Sequence, residues 1–208
     1  QGWKDLNRHS PYFQDSYNFV VARFPDSWTP ADYLVHFAAK CKVDPDFVAP
    51  YDLGRALRNL PSFVREESLL QACRNLGLQT SVPTANENFL DHADLYIETD
   101  QGTFTIWSFV NTSKARKSVI HKLFNRGHDL KGVHVLAPID MEQDAIDVYD
   151  WKIVNTAYAA RLSAELQMDN ALDIDRTLAL ARLGLGPADQ FTVLDSSHVN
   201  SIRRSRWA

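Results

Sequence analysis

The clearest pattern of hydrophobic and polar positions runs from residue 66 to residue 139. Apolar residues recur there at helical spacing up to Leu76, and Gly77 is well placed to end that helix. A short strand is predicted over residues 78–82. The opening of this block is therefore a helix followed closely by a strand.

Two alternating runs, residues 93–99 and 103–110, surround a turn at residues 100–102 and predict a β-hairpin. In the first run Asp94, Tyr96 and Glu98 share one face of the strand, because side chains alternate between faces. Asp94 therefore stands at the head of the hairpin.

A basic helix is predicted over residues 113–126, and a buried strand over residues 132–138, which are apolar and rich in β-branched side chains. A helix that joins two strands in this way fits a crossover between parallel neighbours. We therefore expect an α/β fold with a small mixed sheet of about four or five strands, helices on both faces and helical additions at both ends.

The flanking segments predict those additions. Residues 17–23 are strand-like, while Thr29 and Pro30 open a helix that ends near Lys42. The helix predicted over residues 51–60 should be broken by Pro61. Beyond the core, helices are expected over residues 150–168 and 171–183. The expected organisation is an N-terminal helical cap (1–62), an α/β core (63–168) and a C-terminal helical and basic extension (169–208).

Composition adds few constraints. The chain has 208 residues, 45% hydrophobic and 23% charged, as in ordinary globular proteins. It has no apolar run long enough to span a bilayer, so we expect no membrane partner. Cys41 and Cys73 match no zinc spacing and suit buried thiols in a reducing compartment, which favours a cytoplasmic location. The chain begins with Gln1 rather than methionine, so further domains of a longer protein stay an open alternative.

Charge is distributed unevenly, although the net charge is only −4. Between residues 114 and 131 only Asp129 opposes the cations, whereas acidic residues gather at 140–150. Clustered cations are typical of surfaces that bind phosphate or an acidic partner. The cations are Lys114, Arg116, Lys117, Lys122, Arg126 and Lys131.

The order helix, strand, hairpin headed by Asp94, basic helix and strand resembles the PD-(D/E)XK, or restriction-endonuclease-like, superfamily. In that superfamily a strand-borne Asp and a following Glu-x-Lys hold the catalytic metal. Here the Glu-x-Lys positions read Ile106, Trp107 and Ser108. The resemblance therefore implies the fold more strongly than the activity.

The resemblance implies Mg²⁺ bound by Asp94 with help from Glu67, which is placed where members carry an acid on the first helix. Lys114 or Lys117 would replace the missing lysine. Bland alternatives remain for each: a solvated strand-start carboxylate, a helix-dipole partner, and a solvated cationic face. Glu98 lies roughly 13 Å from Asp94 along an extended strand, too far to share its metal.

The start of the basic helix suggests a second kind of site. Asn111, Thr112 and Ser113 offer capping groups and backbone N–H groups that suit a phosphate. The neighbouring cations Lys114, Arg116, Lys117 and Lys122 would hold a nucleic-acid backbone. Simple helix capping is the alternative for the three polar residues, and Trp107 suits either base stacking or core packing.

Other chemistries lack their motifs. The histidines form no metal-binding pair, and the chain has no phosphate-binding glycine loop and no Gly-x-Ser-x-Gly elbow. The leading hypothesis is therefore a nuclease-related domain acting on DNA or RNA, with Mg²⁺-dependent hydrolysis if it is an enzyme. The alternative is a catalytically degenerate nuclease-like fold that binds nucleic acid or a protein partner in a larger assembly.

Overall fold

A computed structural model describes residues 11–43, 50–83, 93–124, 131–167 and 191–205. Contacts divide the chain into two compact units. The first comprises Gln1–Leu69 with Asp147–Ile153, and the second Leu70–Ile146 with Val154–Ala208. Within the described ranges, none of the helices combines the length and apolar character needed to cross a membrane.

The first unit is built mainly from helices. They are α1 (Pro11–Arg23), α2 (Pro30–Val43) and most of α3 (Pro50–Asn75). The strand expected at residues 17–23 is wrong, because this segment belongs to α1. Ser16, Phe19 and Val20 are buried at helical spacing, so packing overrides the strand propensity of the segment.

Helix α3 continues through Pro61, so the predicted break there is also wrong. Proline removes one hydrogen bond inside a helix and disturbs the preceding turn. Leu60 is buried immediately before the proline, and Phe63 and Val64 are buried after it. Burial on both sides of the proline offsets its cost and keeps the helix continuous.

The core of the first unit is aromatic. Phe19 makes edge-on contacts with Trp28 and Tyr33, each at 5.2 Å between ring centroids. Trp151 packs on Trp28 at 4.5 Å and donates its indole N–H to the Trp28 carbonyl at 2.8 Å. The remaining buried members are Val20, Phe37, Leu60, Phe63 and Val64.

The second unit contains a five-stranded mixed sheet of order β1-β2-β3-β4-β7, flanked by helices, which confirms the predicted α/β class. Neighbours pair antiparallel except β3 and β4, which are parallel and joined through helix α4 (Ser113–Phe124). The predicted crossover is therefore confirmed. The strands are β1 (Gln79–Ser81), β2 (Leu95–Thr99), β3 (Gly102–Val110), β4 (Val133–Ile139) and β7 (Thr192–Asp195).

The predicted hairpin is strands β2 and β3. Leu95 pairs with Ile106 and Ile97 with Phe104, so buried side chains face each other across the pair. Gly102 ends the turn with φ of +123°, a conformation that side chains larger than hydrogen rarely adopt. The predicted hairpin and its turn are therefore confirmed, and Leu95 and Ile97 share the buried face of β2 as the alternation indicates.

The single helix expected at residues 150–168 is wrong. The segment begins with strand β6 (Trp151–Val154), which pairs with β5 (Ala145–Val148), and helix α5 (Thr156–Gln167) follows. Asn155 separates them, because its side-chain oxygen accepts the Tyr158 N–H at 2.8 Å and caps α5.

The C-terminal segment contributes to the sheet. Strand β7, which the sequence assigned to the extension, pairs with β4 and leads into α6 (Ser196–Ser205). The helix expected at residues 171–183 lies outside the described residues.

One apolar cluster joins α4 to the sheet. The side of α4 that carries Ala115, Val119, Ile120 and Leu123 packs on side chains of the strands and α6. This packing directs the cationic side of α4 away from the sheet. The buried sheet and α6 members are Trp107, Phe109, Leu136, Leu194 and Val199.

Candidate functional site

The candidate site lies where the two parallel strands end. β3 ends at Val110 and β4 at Ile139, and the Asn111 N–H donates to the Ile139 carbonyl at 2.8 Å. Because β2 runs antiparallel to β3, its first residues, next to Asp94, lie toward the same edge. The carboxyl edge of parallel strands is where open α/β sheets commonly bind ligands.

Helix α4 begins at this edge with Thr112 as its cap. The Thr112 hydroxyl accepts the Ala115 N–H at 3.2 Å, and the Thr112 carbonyl accepts the Arg116 N–H at 2.9 Å. Ser113 is the first helical residue. The helix has no acidic residue in its first turn, so its own sequence supplies no anion to the positive end of the helix dipole.

Arg116 is held in place by Asn111. The guanidinium Nη2 donates to the Asn111 side-chain oxygen at 3.1 Å, and both residues are half-buried. Asn111 thereby fixes an arginine fork beside the helix start, and planar forks suit phosphate oxygens. Sequence reasoning placed both residues at the site but missed this pairing, because a five-residue separation carries no pattern of its own.

The lysines of α4 lie on its solvent side. Lys114, Lys117 and Lys122 are exposed. Lys114 and Lys117 belong to the first turn and a half, where cations oppose the helix dipole. A bound anion would interact favourably with the positive end of the helix dipole and with the lysine charges. This helix start therefore suits a phosphate, which capping alone would not explain.

Asp94 has a structural partner that the sequence did not indicate. Its Oδ2 accepts the Ser108 N–H at 2.5 Å and the Ser108 hydroxyl at 2.8 Å. Ser108 is buried and stands in the tripeptide that aligns with Glu-x-Lys. The hydrogen bonds tie the head of β2 to β3, so this carboxylate stabilises the hairpin whatever else it does.

Trp107, in the same tripeptide, is buried and serves the core. Its indole N–H donates to His134 Nδ1 at 3.0 Å, so Nδ1 is an acceptor. His134 is fully buried, and its Nε2 lies 3.0 Å from the Lys131 carbonyl. The imidazole is therefore the neutral Nε2–H tautomer, and burial of Trp107 rules out the base-stacking alternative.

Glu67 belongs to the first unit and Asp94 to the second. Glu67 is buried on α3, where its Oε2 accepts the Tyr17 hydroxyl at 3.5 Å. Its neighbour Glu66 lies 3.7 Å from the Arg65 guanidinium. The pairing of Glu67 with Asp94 on one metal stays a prediction.

The described ranges contain no group of three or more His, Cys, Asp or Glu side chains arranged to hold a metal ion. Asp94 lies toward the sheet edge described above, and Asp140 directly follows β4 at that edge.

Comparisons with models of known protein families, with curated proteins and with solved structures find no match for this chain. The kinship with restriction-endonuclease-like proteins thus stays an expectation from element order. The α4 start combines a capped helix terminus with exposed lysines at the carboxyl edge of two parallel strands.

Proposed function

We propose that this protein is a nuclease-like α/β domain that binds the phosphate backbone of nucleic acid at the start of α4. The observation that carries the proposal is the Thr112-capped helix start, with Lys114, Arg116 and Lys117 beside it, at the carboxyl edge of two parallel strands. This arrangement needs none of the missing Glu-x-Lys residues.

Three interactions at the start of α4 favour a phosphate ligand. Backbone N–H groups and the dipole of a helix start attract a phosphate. Exposed Lys114 and Lys117 add charge and release counterions from a polyanion when they bind it. Arg116, positioned by Asn111, adds a directional contact. Together they favour a backbone ligand over an isolated neutral molecule.

The pairing of the sheet supports nucleic acid among the possible polyanions. Two antiparallel pairs followed by a parallel pair, with a helix in the crossover, agree with the element order that resembles the restriction-endonuclease-like superfamily. By analogy, the resemblance in element order ranks nucleic acid first among these polyanions.

Metal-dependent phosphodiester cleavage is the second candidate function. It is favoured by the position of Asp94, at the head of β2 and toward the same sheet edge as the α4 start. The resemblance would give Asp94 and Glu67 to Mg²⁺, and Lys114 or Lys117 to the charge of the scissile phosphate. The hydrogen bonds from Ser108 to Asp94 make binding without cleavage the better supported of the two.

Binding is tested by fluorescence anisotropy with labelled DNA duplex, single-stranded DNA and RNA over a range of salt. The variant carrying Lys114→Gln and Lys117→Gln should lower the slope of log affinity against log salt by about 1.8 on duplex DNA, about 0.9 for each lost phosphate contact. Lys117→Gln alone should lower it by about 0.9. Lys40→Gln, at an exposed lysine on α2, is the matched control and should leave the slope unchanged. Equal slopes in all four proteins would overturn the proposal.

Cleavage is tested on the same nucleic acids with Mg²⁺ or Mn²⁺, comparing the wild-type protein with Asp94→Asn. Product formed by the wild type and lost in Asp94→Asn, with anisotropy unchanged, would establish the second candidate. Intact binding by a wild type that forms no product would leave a binding module. The readouts are separate, so each function can fail alone.

A further inference from the structure

Helix α2 presents an apolar face to solvent. Val35 is 71% exposed, Val43 79% and Leu34 39%. Ala31, Ala38 and Ala39 are exposed on the same helix. These residues recur at the spacing of one helical face, so they form a continuous stripe.

The other side of α2 is apolar as well. Tyr33 and Phe37 are buried in the aromatic core of the first unit. A surface helix normally turns a polar side to water, and one that is apolar on both sides is normally buried. An exposed apolar stripe of this kind is typical of a surface that packs against an apolar partner.

The charged residues of α2 are mostly committed to local contacts. Asp32 accepts the N–H and the hydroxyl of Thr29 at the helix start, at 2.6 and 2.9 Å. Lys40 pairs with Asp15 at 3.1 Å, and His36 contacts the same carboxylate at 2.6 Å. Lys42 is exposed at the opposite end of the helix from Asp32, in line with the stripe.

We propose that the partner of this stripe is the same stripe on a second copy of the chain, packed antiparallel about a two-fold axis at the level of residue 37. A two-fold interface must be complementary to itself. Antiparallel pairing about this axis sets Asp32 of one copy opposite Lys42 of the other, at both ends of the interface. It also sets Val35 opposite Ala39.

Side-chain size supports this pairing. Ala38 lies nearest the level of the axis and Ala39 one residue further along, and small residues let two helices approach closely. The larger Val35, Leu34 and Val43 lie two, three and six residues from residue 37 and fill the space between the helices. From residue 31 to residue 43 the stripe spans about 18 Å of helix. One such face per copy is smaller than a standard interface, so the dimer dissociates on dilution.

Sedimentation velocity over a wide range of protein concentration tests the proposal, with circular dichroism to confirm folding. The wild type should convert reversibly between monomer and dimer. Val35→Glu should raise the dissociation constant by about tenfold or more, because it buries a charge in the middle of the stripe. Val21→Glu is the matched control on α1, where Val21 is 41% exposed, and should leave the constant unchanged. A wild type that is monomeric throughout would overturn the proposal.

Cross-linking tests the axis itself. The variant Cys41→Ser with Ala38→Cys should form a disulfide-linked dimer under mild oxidation, because the two introduced thiols meet near the axis. Cys41→Ser with Ala160→Cys, at an exposed position of α5, should stay uncross-linked. Equal cross-linking of both variants, or of neither, would contradict the antiparallel pairing. A monomer in which Val35→Glu strongly lowers the free energy of unfolding would show that the chain covers the stripe itself, which would also contradict it.

Discussion

Helices α2 and α4 begin alike and end up facing different partners. Each has a threonine cap, Thr29 or Thr112, and each packs one side on a core. α2 has an acidic residue in its first turn and an apolar solvent face. α4 has no acidic residue in its first turn and turns lysines to solvent.

The two helices differ in which group neutralises the positive end of the helix dipole. In α2 the N–H and hydroxyl of Thr29 hold the pKa of Asp32 below its ordinary value, so the helix supplies its own anion. In α4 the corresponding position, three residues after the cap, is Ala115, and the charged residue just before it is the cation Lys114. The start of α2 needs no external anion, because its own acidic side chain complements the dipole, and its solvent face can serve another role. The start of α4 has no such acidic side chain and carries cations, so it suits an anionic ligand.

The largest expected effect is on stability and comes from the buried sheet residues that pack beneath α4. Trp107→Phe removes the indole donor from the buried His134 Nδ1 and should lower the free energy of unfolding by about 2 kcal/mol. Chemical denaturation measures the loss. If α4 binds phosphate through its exposed face, affinity for nucleic acid below the unfolding transition should hardly change. Equal loss of affinity and stability would mean that the cationic face has no role of its own.

The two caps offer a matched comparison. Thr29→Ala and Thr112→Ala should each lower the free energy of unfolding by about 1 kcal/mol, because a hydrogen-bond acceptor for the first turn is lost. Added inorganic phosphate should restore part of the loss at Thr112, where cations attract the anion to the released N–H, and none at Thr29. Identical phosphate responses in thermal unfolding would abolish the distinction between the helices.

A smaller effect comes from giving α4 its own anion. Lys114→Glu should raise the free energy of unfolding by about 0.5 kcal/mol, since an acid in the first turn complements the dipole. The same substitution should weaken nucleic-acid binding. Opposite signs in stability and affinity would separate a ligand-binding start from a purely structural one. If both fall together, the lysine is a structural residue.

The smallest effect is the pH dependence of α2. The lowered pKa of Asp32 means that its contribution to stability is present above the unfolded value of 3.8 and is lost as pH falls through the folded one. Asp32→Asn should remove this dependence at acidic pH. Near neutral pH, its free energy of unfolding should change with pH in the same way as that of the wild type. NMR titration of the carboxyl carbon checks the direction, and a value at or above 3.8 would contradict it.

The sequence predicted those parts of the fold that local pattern controls. Alternation from residue 93 to residue 110 predicted the hairpin with its turn, and the apolar run from 132 predicted the parallel strand. The basic helix between them followed from charge and spacing. Each of these elements contains enough consecutive positions of one period to outweigh its surroundings.

The failures were decided by contacts distant in sequence. Residues 17–23 became helical because one face packs among aromatic side chains, and Trp151 joined a strand through contacts with Trp28. At the site, residue type and position predicted the Thr112 cap and the exposed lysines. The Ser108–Asp94 and Asn111–Arg116 pairs depend on tertiary geometry that no spacing shows.

Strand β7 has a consequence for how the protein can be shortened. It covers the outer edge of β4, pairing Leu194 with His134 and Val193 with Val135. A chain truncated before residue 191 would leave the backbone N–H and C=O groups of this apolar strand open to other chains. Such a chain should aggregate even though the residues of the candidate site are all retained. Strand β7 therefore prevents the edge of β4 from pairing with strands of other chains.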